Sequence, residues 1–225
     1  MISTLQFSAE DLYLINKTRD FVKQTLADAE GGHDWFHTER VYNNALLIAQ
    51  GEKVNGLIVA LGALLHDIAD SKFYSGDETV GPRVATAFLI KNNADSQVVD
   101  HVVQIIKNIS FKGGNTVKDF HSLELAVVQD ADRLDAIGAI GIARTFNYGG
   151  FKNRKLYDPE IKPNLNMKPD EYKKSTAPTL NHFYEKLLLL KDKMNTETGK
   201  RLAKKRHEFM QLYLDQFYAE WNGKV

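Results

Sequence analysis

The sequence predicts an all-α protein, and three observations support this prediction. Apolar residues recur at helical spacing along most of the 225-residue chain. Strand signals are scarce, and the Asn55-Gly56 pair does not indicate a hairpin because a helix-period pattern follows it. Proline occurs only between Pro82 and Pro178, so most of the chain lacks the strongest helix breaker. We therefore expect a compact bundle of helices that forms a single domain over residues 1–225.

The first three predicted helices begin the core. Ser8 is a suitable N-cap for a helix that starts near Ala9. The apolar face of that helix is expected to consist of Leu12, Ile15, Phe21, Val22 and Leu26. A second helix is expected from about Phe36 to Gly51, and a third from about Val54 to Ile68. The third is apolar nearly all round, which predicts a central, buried position.

The remaining core helices follow from the same periodicity. Two are expected over 81–93 and 95–109. Residues 122–146 form either one helix or two helices joined near Asp135. With these elements the core is expected to span residues 10–146.

Residues 147–178 are expected to be irregular. They are rich in Gly, Pro, Asn, Lys and Tyr and show no sustained period. A loop of this length is unusual inside a compact domain, so it is either a functional lid or a disordered excursion. Two closing helices, at about 181–193 and 196–221, are expected to complete the fold within residues 179–222.

Composition limits the classes of function. Lysine plus arginine equals aspartate plus glutamate at 29 each, which gives no sign of bulk affinity for nucleic acid or anionic membranes. The absence of cysteine excludes disulfides, thiolate catalysis and cysteine-based zinc sites. Any metal must therefore bind His, Asp, Glu, Asn or backbone oxygen. No apolar run has the length of a signal peptide or a membrane span, so we expect a cytoplasmic protein.

Two histidines stand at the ends of apolar faces. His37 shares one face of its helix with Val41, Asn44 and Ile48. It is either a core histidine bonded to a backbone carbonyl or a ligand. His66 and Asp67 end the third helix, where a histidine interacts well with the helix dipole but an aspartate does not. A capping role would thus explain His66 better than Asp67.

Asp132 is a carboxylate on an apolar stripe. It shares a helix face with Leu125 and Val128, so it needs a partner, and an interhelical ion pair is one alternative. One divalent metal would satisfy this carboxylate together with the groups at the ends of the other two helices. Two nitrogen and two oxygen ligands suit Mn²⁺, Fe²⁺ or Zn²⁺. The four candidate ligands are His37, His66, Asp67 and Asp132.

Four segments in order carry a resemblance to a known family. They read "GHDWFHTERV", "ALLHDIADSKF", "NISFKGG" and "QDADRLDAIGAIGIARTF". In this pattern the chain resembles the HD-domain metal-dependent phosphohydrolase superfamily, and within it the bacterial YpgQ/YedJ-like branch. The resemblance covers roughly residues 10–190 and implies an all-α HD-domain bundle.

The resemblance implies roles for the residues that match the motifs. His37, His66, Asp67 and Asp132 would bind one divalent metal per chain, with Mn²⁺ favoured and Mg²⁺, Co²⁺, Fe²⁺, Ni²⁺ or Zn²⁺ as alternatives. Asp70, three residues after the HD aspartate, would act as a catalytic carboxylate on the attacking water; a loop cap is the alternative. Members with two metals carry further histidines, but His101 and His121 lie in no recognisable ligand motif, so we expect one metal.

The implied activity is hydrolysis of soluble nucleotides. We expect a nucleoside triphosphate pyrophosphohydrolase that releases nucleoside monophosphate and pyrophosphate. The alternatives are a 5′-nucleotidase, another phosphomonoesterase or phosphodiesterase of the superfamily, or a non-catalytic module that senses a nucleotide or a metal. The expected partner is a small-molecule nucleotide, and neither a nucleic acid nor a membrane is expected as a partner. A homodimer is compatible with this expectation.

Polyphosphate also needs cations that do not bind the metal. Four residues are candidates for substrate binding, and most charged loop residues merely face water. Lys112 lies beside Gly113-Gly114, where flexible backbone lets N–H groups approach phosphate. The full set of candidates is His33, Lys72, Lys112 and Arg144.

Overall fold

The computed structural model describes residues 5–27, 34–69, 77–109, 120–168, 171 and 174–225. Within these ranges every regular element is a helix, which confirms the predicted all-α class. The α-helices are α1 Ala9–Thr25, α2 Trp35–Ala49, α3 Gly56–Leu65, α4 Val80–Lys91, α5 Ser96–Asn108, α6 Leu123–Asp135, α7 Gly138–Phe151, α8 Asn181–Glu185 and α9 Glu197–Trp221. A 3₁₀ helix, Leu187–Lys193, follows α8.

The chain contacts divide into two compact units. The first comprises residues 1–132 and 195–198, and the second comprises residues 133–194 and 199–225. In the first unit α1, α2 and α5 all pack against α3. All eight residues from Ile58 to Leu65 are buried, which agrees with the central position predicted for this helix. Burial on every side excludes water around the last turn of α3.

Aromatic side chains form much of the core of the second unit. Phe183 is fully buried and stacks on Tyr213 with the ring centroids 5.9 Å apart. Tyr157, from the stretch after α7, meets Phe217 and Trp221 of α9 edge-on at 5.9 and 4.9 Å. Such edge-to-face pairs add to the burial of the rings. The early part of the predicted irregular segment is therefore packed against α9 of its own unit.

Residues 122–146 form two helices, which is one of the two predicted alternatives, because Ile137 is extended and Gly138 takes a φ of +75° that glycine adopts without strain. Two other predicted boundaries differ from the structure. The irregular stretch begins after Phe151, since α7 continues to that residue. The first closing helix is interrupted at Lys186, where α8 ends and the 3₁₀ helix begins.

The predicted face of α1 was wrong at one position. Leu12 is 48% exposed, whereas Leu14 is buried beside Ile15 and Val22. The core side of α1 is therefore rotated toward Leu14. Ser8 caps the helix as predicted, and its hydroxyl accepts a hydrogen bond from the Asp11 backbone N–H.

In the described ranges, no helix combines the length and the apolar character needed to cross a lipid bilayer.

Candidate metal centre

The first turn of α2 places His37 in the interior of the first unit. Asp34 is the N-cap of α2, and its Oδ1 accepts a hydrogen bond from the backbone N–H of His37 at 2.8 Å. This cap fixes the backbone from which the imidazole projects. The His37 side chain is only 3% exposed.

The C-terminal end of α3 fixes the orientation and tautomer of His66. His66 is the C-cap residue of α3, and its Nδ1 lies 2.8 Å from the carbonyl oxygen of Ala63. A carbonyl can only accept, so Nδ1 carries the proton and Nε2 presents its lone pair. That Nε2 atom is buried, and it has no hydrogen-bond partner among the residues that the structure describes. A buried acceptor in this state is costly unless another ligand satisfies it.

Two carboxylates face the imidazoles. The Oδ2 atom of Asp67 lies 3.7 Å from Nε2 of His37 and 3.6 Å from Nε2 of His66. The Oδ1 atom of Asp132 lies 3.6 Å from Nε2 of His37. These separations exceed normal hydrogen bonds, which have a mode of about 2.9 Å. They are a few tenths of an ångström longer than the spacing of ligands around one metal, because ligands about 2.1 Å from a common ion lie roughly 3 to 3.4 Å apart.

The donor set therefore fits a divalent metal. The ligand atoms of His37, His66 and Asp132 all lie within 4.8 Å of one another. The two imidazoles are nearly inaccessible, whereas the side chains of Asp67 and Asp132 are 21% and 44% exposed. The carboxylate side of the cluster is thus open to solvent, which leaves room for water or substrate.

The other predicted site residues are only partly described. His33, Asp70, Lys72 and Lys112 lie outside the described residues, so their roles stay predictions. Arg144 lies on α7, where its Nη1 donates to the carboxylate of Asp135 and, at 3.4 Å, to the carbonyl oxygen of the same residue. Asp135 is buried, so this ion pair neutralises a buried carboxylate within the second unit. A substrate role for Arg144 stays a prediction.

His101 has a local structural role. Its Nε2 lies 2.9 Å from the hydroxyl oxygen of Ser122 and 3.5 Å from Oε2 of Glu124. Ser122 also accepts a hydrogen bond from the backbone N–H of Leu125, which caps α6. His101 thus supports the start of the helix that carries Asp132.

Sequence reasoning missed the groups that hold α6 in place ahead of Asp132. Asn44 of α2 is buried, and its Nδ2 donates to the carbonyl oxygen of Ala131 at 3.3 Å. The Nε2 of Gln129 donates to the carbonyl oxygen of Asn108 at 3.0 Å. Asn44 had a visible signal, because it lies on the same helix face as His37. It joins the helix of one ligand to the helix of another.

Asn44→Leu is expected to weaken divalent-metal binding about tenfold. Groups that orient the ligands typically contribute 10- to 100-fold to affinity, and this substitution removes the bond between α2 and α6 while roughly keeping the side-chain volume. Titration calorimetry with Mn²⁺ measures the effect.

Asn92→Leu is the matched control for this substitution. Asn92 is the C-cap residue of α4, and its amide also donates to a helix carbonyl, that of Phe88 at 2.8 Å, without joining the ligand helices. Its Mn²⁺ affinity is expected to stay at the wild-type value. Equal losses in the two variants would show a general effect on stability rather than positioning of the ligands by Asn44.

Comparisons with known proteins agree with the fold and the cluster. The model of the HD domain matches residues 35–137, which include all four candidate ligands. Protein YpgQ of Bacillus subtilis is 38% identical over 217 residues, covering 95% of this chain and 97% of the relative. The chain therefore belongs to the HD superfamily of metal-dependent phosphohydrolases.

Solved structures give the same assignment. An HD-superfamily hydrolase from Bacillus thuringiensis is 42% identical, with a TM-score of 0.77 over 94% of this chain and 98% of that protein. The structure of Bacillus subtilis YpgQ in complex with ADP is 34% identical, with a TM-score of 0.74 over 94% of this chain and 96% of that protein. A predicted HD-superfamily hydrolase from an uncultured Thermotogales bacterium is 28% identical, with a TM-score of 0.62 over 93% of this chain and 92% of that protein.

Proposed function

We propose that this protein is a metal-dependent nucleoside triphosphate pyrophosphohydrolase. The observation that carries the proposal is the buried Nε2 of His66, which lacks a hydrogen-bond partner in the described ranges and faces the Asp67 carboxylate beside His37. A nucleotide substrate is supported by the relative YpgQ, whose structure contains ADP.

The four ligand side chains would hold one cation. His37 and His66 contribute Nε2 atoms, and Asp67 and Asp132 contribute carboxylate oxygens. A divalent cation in this cluster, for which we propose Mn²⁺, supplies Lewis-acid chemistry that polarises a phosphoryl oxygen and lowers the pKa of the attacking water. The hydrogen bond from His66 Nδ1 to the carbonyl of Ala63 keeps that imidazole in the tautomer that binds through Nε2.

Other residues would act on the water and the phosphates. Asp70 is proposed to orient the attacking water and to accept its proton on a carboxylate oxygen. Water adds to the α-phosphorus, the bond from that phosphorus to its bridging oxygen breaks, and pyrophosphate leaves with the electron pair. Positive charge near the departing group stabilises this transfer. The residues proposed to supply charge or contacts to the substrate are His33, Lys72, Lys112 and Arg144.

The identity of the leaving group tests the proposal. Purified protein with Mn²⁺ is offered nucleoside triphosphates, and orthophosphate and pyrophosphate are measured separately. We expect equal amounts of nucleoside monophosphate and pyrophosphate. Release of orthophosphate together with nucleoside diphosphate would instead indicate cleavage of the bond to the γ-phosphate, and release of orthophosphate from a nucleoside monophosphate offered in parallel would indicate a 5′-nucleotidase. Absence of turnover with any nucleotide in Mn²⁺, Mg²⁺, Co²⁺ or Fe²⁺, despite bound metal, would refute the enzymatic proposal and favour a sensor.

A further inference from the structure

The second unit contains a cavity of about 290 Å³ beside α8 and α9. One wall is the stretch at 157–163, which follows α7, and the other walls carry Asn181 and Tyr184 of α8 and Tyr218 of α9. All of these residues belong to the second unit, and none is a candidate metal ligand. Pockets for drug-sized molecules begin at about 300 Å³, so this cavity suits one ring system rather than a whole nucleoside triphosphate.

Hydrogen bonds hold the walls of this cavity in place. The Nδ2 of Asn181, a residue that is only 2% exposed, donates to the carbonyl oxygen of Ile161 at 3.0 Å. The backbone N–H of Asn164 donates to Oε1 of Glu185 at 3.1 Å, which is a second bond between this part of the chain and α8. Groups fixed before binding lose less conformational entropy when a ligand arrives. The cavity is therefore largely preformed.

Two tyrosine rings meet at a steep angle beside the cavity. The ring centroids of Tyr157 and Tyr218 are 5.5 Å apart, and their planes are inclined by 73°. Trp221 also contacts Tyr157 edge-on at 4.9 Å and supports that ring. A flat ring that stacks on one of the two tyrosines meets the other edge-on, and both arrangements are favourable. Because Pro159 and Pro163 add apolar surface to the lining, the cavity suits a planar ring.

The hydroxyl groups of Tyr184 and Tyr218 supply a hydrogen-bond donor to the cavity. Their oxygen atoms are 3.2 Å apart, and this hydrogen bond uses only one of the two phenolic protons. The other proton is available to an acceptor atom of a ligand. Burial raises the pKa of Tyr218 above its usual value, and the hydrogen bond with Tyr184 raises it further, so this phenol stays protonated. The cavity therefore offers a neutral O–H group to the edge of a bound ring.

The charged groups of the lining leave one cation for a ligand. The carboxylate of Asp158 is paired with the ammonium of Lys155 at 2.7 Å, and it also accepts a hydrogen bond from the backbone N–H of Glu160 at 3.0 Å. Lys162 lines the cavity and is exposed, and no carboxylate of the described residues forms an ion pair with it. A ligand in the cavity would therefore gain from an anionic group that contacts this ammonium.

We propose that this cavity binds the base of a nucleoside monophosphate, with the phosphate held by Lys162. A nucleobase is planar, carries acceptor atoms at its edge and stacks on aromatic side chains. The phosphate provides the negative charge that complements the exposed ammonium. The ligand belongs to the same chemical class as the product proposed for the metal centre, but its binding here requires neither a metal nor hydrolysis. The proposal therefore goes beyond the proposed function.

Binding of AMP and adenosine to full-length, metal-free protein tests this site. The protein is treated with chelator, desalted and titrated with each ligand in a calorimeter. Both are expected to bind saturably, and AMP about tenfold more tightly, because only AMP has the phosphate that forms a charge-assisted hydrogen bond with Lys162. Equal affinities for the two ligands, or the absence of saturable binding, would overturn the proposal.

Three variants locate the bound ligand. Lys162→Met is expected to raise the Kd of AMP about tenfold and to leave the Kd of adenosine unchanged, whereas a general loss of structure would weaken the binding of both. Tyr184→Phe removes the hydroxyl pair and is expected to raise both Kd values about fivefold. Lys205→Met replaces an exposed lysine of α9 and, as the matched control, is expected to change neither value.

Wild-type affinity for AMP in both Lys162→Met and Tyr184→Phe would place the ligand elsewhere and overturn the proposal. Because the readout involves neither metal nor turnover, it is independent of any failure of nucleotide hydrolysis.

Discussion

Asp132→Ala is expected to lower nucleotide hydrolysis about 10³-fold and to prevent stoichiometric metal binding. The carboxylate lies 3.6 Å from Nε2 of His37 and is the proposed ligand contributed by α6. Losing the cation would remove several kcal/mol of transition-state stabilisation, and each 1.36 kcal/mol corresponds to about a tenfold change in rate. Initial rates of pyrophosphate release and the metal content after desalting measure the two effects.

Asp100→Ala is the matched control for Asp132→Ala. Asp100 is an exposed aspartate on α5 of the same unit. Its replacement by alanine therefore removes the same charge as Asp132→Ala but leaves the four candidate ligands in place. Wild-type rate and metal content are expected. Asp67→Ala should behave like Asp132→Ala, whereas normal metal content and turnover in Asp67→Ala would remove Asp67 from the ligand set.

Asp130→Ala is expected to destabilise the protein by about 3 kcal/mol. Asp130 is fully buried, and its carboxylate accepts hydrogen bonds from the backbone N–H groups of Asn195 and Thr196 and from the Thr196 hydroxyl, at 2.7 to 3.0 Å. Removing it leaves buried donors unsatisfied, each at a cost of about 1 to 3 kcal/mol. Urea unfolding followed by circular dichroism measures the loss.

Two further variants separate this effect from a simple change of charge. Asp130→Asn keeps the shape but replaces one acceptor oxygen with an NH₂ group, so an intermediate loss of about 2 kcal/mol is expected. Asp192→Ala removes an aspartate whose side chain is 72% exposed, and the free energy of unfolding should change by less than about 0.5 kcal/mol. A wild-type unfolding midpoint in Asp130→Ala would contradict the proposed role of this carboxylate.

The sequence predicts most of the helices and the candidate ligands. Helical periodicity reflects burial directly, so the apolar pattern of α3 predicts the buried, central position that the helix occupies in its unit. The convergence of His37, His66 and Asp132 could also be predicted, because each stands at the end of an apolar face. Groups that are costly to bury alone indicate that the fold brings them a common partner.

Other features depend on contacts that no local pattern contains. Asp130 and Asp132 lie two residues apart in one acidic stretch, yet the partners of Asp130 are backbone N–H groups about 65 positions later in the chain. The sequence predicts only substrate binding for Arg144, whereas the break at Gly138 lets this side chain pair with Asp135. The backbone pairing of Lys155 and Leu156 with Thr179 and Leu180 likewise has no sequence signature.

The most direct test of the proposed metal centre is anomalous diffraction from crystals grown with Mn²⁺, recorded on both sides of the manganese absorption edge. We predict one anomalous peak per chain, within coordination distance of Nε2 of His37, Nε2 of His66 and the carboxylates of Asp67 and Asp132. Crystals that contain stoichiometric manganese but show their only peak away from these four side chains would contradict the account.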